Sequence, residues 1–360
     1  MTDPAPPSPL PGPVLVVGCG LIGTSVALAL TRAGAQVHLA DALRQHAEVA
    51  EGLGAGTTRD PERVGLVVVA VPPDHVAESV AEALSAWPDA VVTDVASVKL
   101  PPLEALVDAD VDGLDRYVGS HPMAGSERSG PMAASANLFE GRAWAVTPHQ
   151  RARTAAVEAV RSLAVSSGAT LVEMPAAEHD AAVARVSHLP HLMSVLAASQ
   201  LDGSPADHLA LAGQGLRDVT RIAGSDPGLW RQILYANRAP LTDLLRGVRD
   251  DLDRLLGALD SRPALEQVLD RGVAGTALIP GKHGEERSAA LVPVYVQVPD
   301  RPGELGRLLR DTGESDVNIE DLRIDHDLGR PVGLAEISVR TERADHLVEA
   351  LTERGWTAHL

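Results

Sequence analysis

Gly18-Cys19-Gly20-Leu21-Ile22-Gly23 follows the apolar run Val14–Val17 and opens a helical pattern. Three glycines at this spacing each serve a different need when a dinucleotide is held there. Gly18 permits a tight turn, Gly20 lets the backbone approach a pyrophosphate, and Gly23 lets a helix pack closely on a strand. The helix N-terminus at Leu21 and Ile22 faces the negative charge. Asp41 ends the next strand, 18 residues beyond Gly23, where a carboxylate accepts from the adenosine ribose diol and repels a 2′-phosphate. The fingerprint points to NAD rather than NADP. Arg44 lies close enough to accommodate such a phosphate, so NADP stays open. Val71 and Pro72 end a central strand and are expected to line the nicotinamide side of the crevice.

Two further segments follow strands of the same sheet, where ligands bind in such folds. They are Asp94-Val95-Ala96-Ser97-Val98-Lys99 and Gly119-Ser120-His121-Pro122-Met123-Ala124-Gly125-Ser126-Glu127. A histidine in that position, His121, can take a proton from an alcohol while hydride leaves for a nicotinamide. A nearby hydroxyl, Ser97, can orient that alcohol. His188 and His191 follow at i, i+3, a spacing that could suit zinc. No third ligand in helical register stands out, although Glu178, His179 and Asp180 lie just upstream, and Pro190 is expected to bend the helix. Both are therefore read as hydrogen-bonding histidines, with no metal.

These residues need elements to carry them. Short β-branched runs at Val14–Val17, Gln36–Ala40, Leu66–Val71, Ala90–Asp94, Arg116–Gly119 and Ala143–Thr147 alternate with helical stretches such as Leu21–Ala33 and His75–Ser85. Each run is nearly all apolar, as expected of parallel strands buried on both faces. The alternation predicts a doubly wound α/β, Rossmann-type sheet. After helix Arg151–Ser167 and one strand, Ala169–Glu173, residues 175–279 read as nearly all helix, broken at Gly203–Pro205 and Gly224–Pro227. Residues 280–290 read as a linker. The last segment, 291–360, gives strand Leu291–Val298, helix Gly303–Asp311, strands Val317–Asp325 and Val332–Val339, helix Arg343–Arg354 and strand Trp356–His359. That order is βαββαβ. The expected organisation is a disordered tail over 1–12, a dinucleotide-binding domain over 13–174, the helical domain, the linker and the small C-terminal domain.

Composition narrows the function. A formal net charge of -18 argues against nucleic acid and against an anionic membrane surface. Only Lys99 and Lys282 are lysines, so any local anion site must be built from arginine. Cys19 is the single cysteine and can form no intrachain disulfide. The Pro-rich stretch Met1–Pro13 lacks a signal peptide's basic and apolar regions, and no apolar run has the length of a membrane span. These features lead to the expectation of a cytoplasmic enzyme.

Taken in order, the motifs Ser97-Val98-Lys99, His121-Pro122-Met123-Ala124-Gly125-Ser126-Glu127, Ser187-His188-Leu189-Pro190-His191 and Thr220-Arg221-Ile222-Ala223-Gly224-Ser225-Asp226-Pro227-Gly228-Leu229-Trp230 resemble the prephenate dehydrogenase (TyrA) family, which includes arogenate dehydrogenases. The resemblance runs from Val14 to about Ala274. Leu216 and Arg217 stand where the family often has an aromatic residue and a lysine. What the resemblance implies is NAD-dependent oxidative decarboxylation of prephenate to 4-hydroxyphenylpyruvate, in tyrosine biosynthesis. His121 would accept the carbinol proton and Ser97 would hydrogen-bond the same oxygen. Arg221 would hold a carboxylate bidentately, with Arg217 one helical turn earlier. Ser126, His188 and His191 would be further substrate contacts. By the same resemblance Trp230 approaches the site from a partner subunit, implying a homodimer, with simple core packing as the alternative.

The C-terminal stretches Val298–Leu305 and Asp316–Asp321 resemble the ACT domain, a small-molecule sensor. Gly303, in the Arg-Pro-Gly turn, and Asn318 lie where such domains hold an amino acid, and tyrosine is the expected effector. A dimerisation module without ligand is the alternative. Three other readings stay open for the whole chain: an arogenate dehydrogenase, a β-hydroxyacid dehydrogenase, or a non-catalytic NAD and amino-acid sensor. The β-hydroxyacid enzymes use a helical lysine with Asn four residues on. Here Lys99 has Leu103 at that spacing.

Overall fold

The computed structural model describes residues 10–125, 128–279, 291–326 and 332–360. The described residues divide into two compact units, between Asp250 and Asp251. The linker expected over 280–290 and most of the expected tail lie outside the described residues.

In the first unit, strands β1 (Val14–Val17), β2 (Val37–Ala40), β3 (Leu66–Val69) and β4 (Val91–Asp94) form a parallel sheet in the order β2-β1-β3-β4. Val68 packs into the core on one face, Val67 and Val69 into the core on the other. Burial of both faces explains why these strands read as unbroken apolar runs. Between the strands run α1 (Leu21–Arg32), α2 (Arg44–Gly52) and α3 (Val76–Ala86), and α4 (Leu100–Asp108) follows β4.

A second sheet joins β5 (Gly119–Pro122), β6 (Ala143–Thr147) and β7 (Thr170–Glu173), with α5 (Thr154–Ser166) before β7. Two expectations are corrected here. The strand expected at Arg116–Gly119 lies further on, because Leu114–Arg116 forms a 3-10 turn opened by the left-handed Gly113 (φ 75°). Arg116 is buried there, its guanidinium donating to the carbonyls of Leu84, Trp87 and Ala90. The strands are also not all parallel, since β5 runs antiparallel to β6. As a result His121 sits within a strand, not in a loop after one.

The helical part of this unit holds α6 (Ala176–Val183), a π turn (Ala184–His188), α7 (Leu189–Ser199), α8 (Ala206–Leu209), α9 (Gln214–Thr220), a 3-10 turn (Arg221–Gly224), α10 (Pro227–Ala236) and most of α11 (Arg238–Ala258). Both expected breaks are present. The backbone runs as helix from Ala176 to Ser199, with Pro190 in the first turn of α7. Pro190 has no N–H for the helix ladder, and the π turn that ends two residues before it marks where the regular ladder is interrupted.

The second unit holds the end of α11, then α12 (Arg262–Ala277) and the βαββαβ fold: β8 (Leu291–Pro299), α13 (Glu304–Glu314), β9 (Asp321–His326), β10 (Val332–Arg340), α14 (Thr341–Glu353) and β11 (Thr357–His359). Its antiparallel sheet has the order β11-β8-β10-β9 over a core that includes Val294, Val296, Leu308, Ile337 and Leu347. The strand expected from Val317 starts only at Asp321, because the chain first turns through Asp316 (φ 56°). Among the described residues no helix is long and apolar enough to cross a membrane.

Candidate active site

The C-terminal edge of the parallel sheet carries the glycine turn. Gly18 has φ +97°, and a Cβ there would stand 2.4 Å from the Ala70 carbonyl oxygen. A Cβ on Gly23 would stand 1.9 Å from the Gly18 carbonyl oxygen. Both glycines are dictated by the protein's own backbone. Gly20 differs: its φ of -75° and ψ of -162° suit any residue, and a Cβ there would meet nothing within 4 Å. The protein leaves open the space that a pyrophosphate would occupy. Leu21 and Ile22 begin α1, which has no side-chain cap and no acidic residue in its first turn. Its positive end therefore remains available to an anion.

Asp41, at the end of β2, braces this turn. Its carboxylate accepts from the Cys19 N–H at 2.6 Å and the Leu43 N–H at 2.7 Å. Burial, and then the Asp41 charge, push the Cys19 thiol up to about 12, so it is no nucleophile. Arg44 is exposed and pairs with Glu48 at 2.8 Å. Val71 is partly buried and Pro72 is exposed, at the same sheet edge.

The next elements bring in His121. Tyr117 bridges Val92 of β4 in parallel. The Val118 N–H donates to the Val92 carbonyl and Ser120 Oγ to the Asp94 carbonyl, so β5 starts beside the end of β4, ahead of the loop that carries the half-buried Ser97. The loop between β4 and α4 also carries Lys99, whose ammonium is buried and paired with Asp94, and which donates to the Ser120 carbonyl at 2.7 Å. Tyr117 Oη donates to the other Asp94 oxygen at 2.7 Å. Burial lowers the Lys99 ammonium from its ordinary range, against the opposing pull of Asp94 and Asp180. The pair is fixed by hydrogen bonds on both partners, the condition for keeping charges in an apolar interior.

His121 Nδ1 lies 3.0 Å from His179 Nε2 on α6, and His179 Nδ1 lies 2.8 Å from Asp180 Oδ1. Burial holds His121 well below the usual imidazole range, reinforced by His179, Lys99 and His188. At neutral pH the ring is uncharged and able to accept a proton.

The remaining polar groups come from the helical part. His188, at the end of the π turn, is buried, and burial lowers it to about 4. Asn237 fixes its tautomer. The Asn237 amide nitrogen donates to the Asp180 carbonyl at 2.9 Å and contacts His188 Nδ1 at 3.0 Å. His188 Nδ1 is thus the acceptor, and Nε2 carries the hydrogen. His191 stacks on Trp230 of the same chain, with centroids 3.5 Å apart, and His188 meets that indole edge-on. His191 Nδ1 is buried with no hydrogen-bond partner among the described residues. Ser194 on α7 accepts the Ala223 N–H at 3.1 Å, tying the Arg221 turn to the helix that carries His191. Arg217 and Arg221 are exposed. Among the described residues neither has an ion-pair partner.

The structure therefore groups His121 with His179, and His188 with His191 and Trp230, with the Arg221 turn tied to that helix, while Ser97 is half-buried in the loop ahead of α4. Ser126 lies outside the described residues. Gly303 (φ +93°) caps α13, and Asn318 Nδ2 donates to Glu320 Oε1 at 3.0 Å. Both belong to the second unit. In the sequence Asp94, Lys99, His179 and Asp180 stand beside the motifs with no site role of their own, and nothing marks Asn237. The run of three ionisable residues, Glu178-His179-Asp180, in an otherwise apolar helix is the available signal.

Among the described residues no group of three or more His, Cys, Asp or Glu is arranged to hold a metal ion. Comparison with known proteins agrees with the geometry. Residues 26–173 match the family model for the prephenate dehydrogenase nucleotide-binding domain, and 175–269 match that for its dimerization domain. A probable prephenate dehydrogenase of Streptomyces niveus is 36% identical, over 96% of this chain and 99% of its own. The prephenate dehydrogenase of Bacillus subtilis is 29% identical, over 94% and 96%. Among solved structures, the Aquifex aeolicus prephenate dehydrogenase in complex with hydroxyphenyl propionate and NAD+ superposes with a TM-score of 0.68 at 27% identity, covering 74% of this chain and 98% of that one. The Synechocystis arogenate dehydrogenase does so at 0.63 and 26%, covering 73% and 98%. With both halves of the site on one framework and both family models matched in order, the chain belongs to the prephenate dehydrogenase family.

Proposed function

We propose that this chain is an NAD-dependent dehydrogenase that converts prephenate to 4-hydroxyphenylpyruvate with loss of CO2. The observation that carries the reading is His121: an uncharged imidazole on β5, Nδ1 engaged by His179, in the same compact unit as a glycine turn that leaves room for a dinucleotide. Gly20, Leu21 and Ile22 would hold the pyrophosphate, Asp41 the adenosine ribose, and Val71 and Pro72 would flank the nicotinamide. When bound, NAD supplies the acceptor for the hydride that leaves the ring carbinol carbon.

His121 Nε2 takes the carbinol hydroxyl proton as that hydride departs, and Ser97 holds the same oxygen. The ring carboxylate then leaves as CO2, and the electrons of the broken C–C bond complete the aromatic ring. His121 returns its proton to the phenolate oxygen, so no net proton is released. The substrate is a dianion, and the exposed guanidiniums of Arg217 and Arg221 would supply donors for its carboxylates. His188 Nε2–H and His191 Nδ1 offer neutral polar contacts. Exposed apolar side chains on α8 to α10 and their connections, including Leu209, Leu211, Val219, Leu229 and Tyr235, support a homodimer through the helical part. The C-terminal domain is read as the seat of tyrosine inhibition.

Arogenate, with an amino group in place of the side-chain oxo group, is the second reading, favoured by the superposition on an arogenate dehydrogenase. Following NADH at its absorbance band with each substrate in turn decides between them. Prephenate is expected to give the higher kcat/KM. A preference for arogenate corrects the substrate, and no NADH from either compound overturns the activity.

A further inference from the structure

We infer that His179 and Asp180 are positioning residues for His121, holding its ring as the Nδ1–H tautomer so that Nε2 is left as the proton acceptor. The inference deepens the function proposed above and rests on it for the identity of the base.

The argument is a count of donors. Asp180 Oδ1 accepts from the Lys99 N–H at 2.8 Å, and Oδ2 from the Leu100 N–H at 2.9 Å, where α4 begins. Its third contact is His179 Nδ1 at 2.8 Å. A carboxylate only accepts, so the hydrogen lies on His179 Nδ1. In a neutral imidazole the other nitrogen is then a lone pair, and His179 Nε2 is the atom 3.0 Å from His121 Nδ1. His121 must donate, which leaves its Nε2 bare. No other arrangement of protons satisfies all three groups while both rings are neutral.

Position follows as well as protonation. His179 and Asp180 are almost wholly buried, and Asp180 is held by backbone N–H groups that cannot swing away. The two imidazoles meet edge to face, with centroids 5.2 Å apart, so the His121 ring plane is set by a neighbour that cannot rotate. The other charged or titratable groups facing His121 are Lys99, ahead of α4, and His188, on the π turn. Lys99 is engaged by Asp94 and the Ser120 carbonyl, and His188 by Asn237. Neither supplies an acceptor to His121 Nδ1. The arrangement uses the logic of an acid–histidine pair with a second imidazole inserted, in which a wrong tautomer costs far more than lost affinity.

The test compares His179→Leu, which removes the acceptor, with His179→Gln, whose amide oxygen can accept at the same reach. His179→Leu is expected to lower kcat about 100-fold, with the substrate KM and the NAD Kd within about threefold of wild type, and His179→Gln to recover most of the loss. Nitrogen-15 NMR of histidine-labelled enzyme, assigned with His121→Gln, reads the tautomer directly. Wild type should show an unprotonated Nε2 on His121, and His179→Leu a mixture of tautomers. A kcat within about twofold of wild type in His179→Leu, or a protonated Nε2 in wild type, overturns the inference. Should His179→Leu fail to fold, the wild-type spectrum still decides. The spectrum needs no substrate. An enzyme that oxidises neither prephenate nor arogenate defeats the functional reading without touching the tautomer, and a wrong tautomer in an active enzyme defeats only this one.

Discussion

Glycines 20 and 23 look equivalent in the motif, yet they answer to different partners. Gly23 is pressed against the Gly18 carbonyl, so Gly23→Ala must open the turn from inside and is expected to destabilise the fold by about 2 kcal/mol or more. Gly20 has room for a methyl group in the protein alone, so Gly20→Ala is expected to melt within about 2 °C of wild type while weakening NAD binding at least tenfold. Thermal melts and a fluorescence titration with NAD check both. An unchanged Kd in Gly20→Ala would mean that no pyrophosphate rests there. At this scale the sequence is most legible where a local backbone rule acts, as in the glycine turn. It is least legible where partners are distant. His121 and His179 are 58 residues apart, and Lys99 and Asp180 are 81. No spacing rule connects them.

Elements were legible where burial imposes a pattern. β1 and β6 have the expected bounds, because each is a short apolar run ended by a turn residue, Gly18 after β1 and Pro148 after β6. β5 starts at Gly119 and not at Arg116, because Arg116 ends a 3-10 turn and is buried to bind the carbonyls at the end of α3 and just beyond it. Ser120, His121 and Pro122 read as loop in the sequence because polar and proline residues seldom signal a strand. The helix from Ala176 to Ser199 has a further consequence. It buries His188 and His191 together, and burial favours the neutral ring in both. His188 falls from 6.5 to about 4, and His121 is lowered as well. Both take up protons more readily unfolded than folded. As pH drops below about 6.5 the unfolded chain gains protons that the native one refuses, so stability is expected to fall progressively down to about pH 4. For His188 alone the loss is on the order of 3 kcal/mol. Denaturant midpoints at pH 7, 6 and 5 measure it, and His188→Gln should flatten the slope. A midpoint that stays level from pH 7 to 5 in wild type would show that these rings are not held neutral.

For the molecule as a whole, the order of elements was readable because three different periodicities succeed one another along the chain. The change of pattern near residue 174 does not separate two compact bodies, however. α6 packs on α4 and β6, and the Asp74 N–H donates to Gln232 of α10, so the helices up to Asp250 join the sheet in one unit. The βαββαβ fold belongs to the other unit, where its own core encloses Leu308 and Trp356. Trp356 is held by its Nε1–H on Asp311 and by Arg307 over its ring at 4.0 Å. A domain with a complete core can carry regulation that the catalytic residues do not need. In the regulatory reading the N-terminus of α13, behind the left-handed Gly303, would take a tyrosine carboxylate and the exposed Asn318 side chain its amino group. Tyrosine should then inhibit the full chain, and Asn318→Ala should raise the inhibitory concentration at least tenfold with kcat unchanged, as expected when a hydrogen bond to a charged group is lost. Removing residues 291–360 should leave NADH formation intact and abolish the inhibition. If Asn318→Ala and the truncated enzyme both respond to tyrosine as the full chain does, the inhibitor binds elsewhere and this domain serves only association.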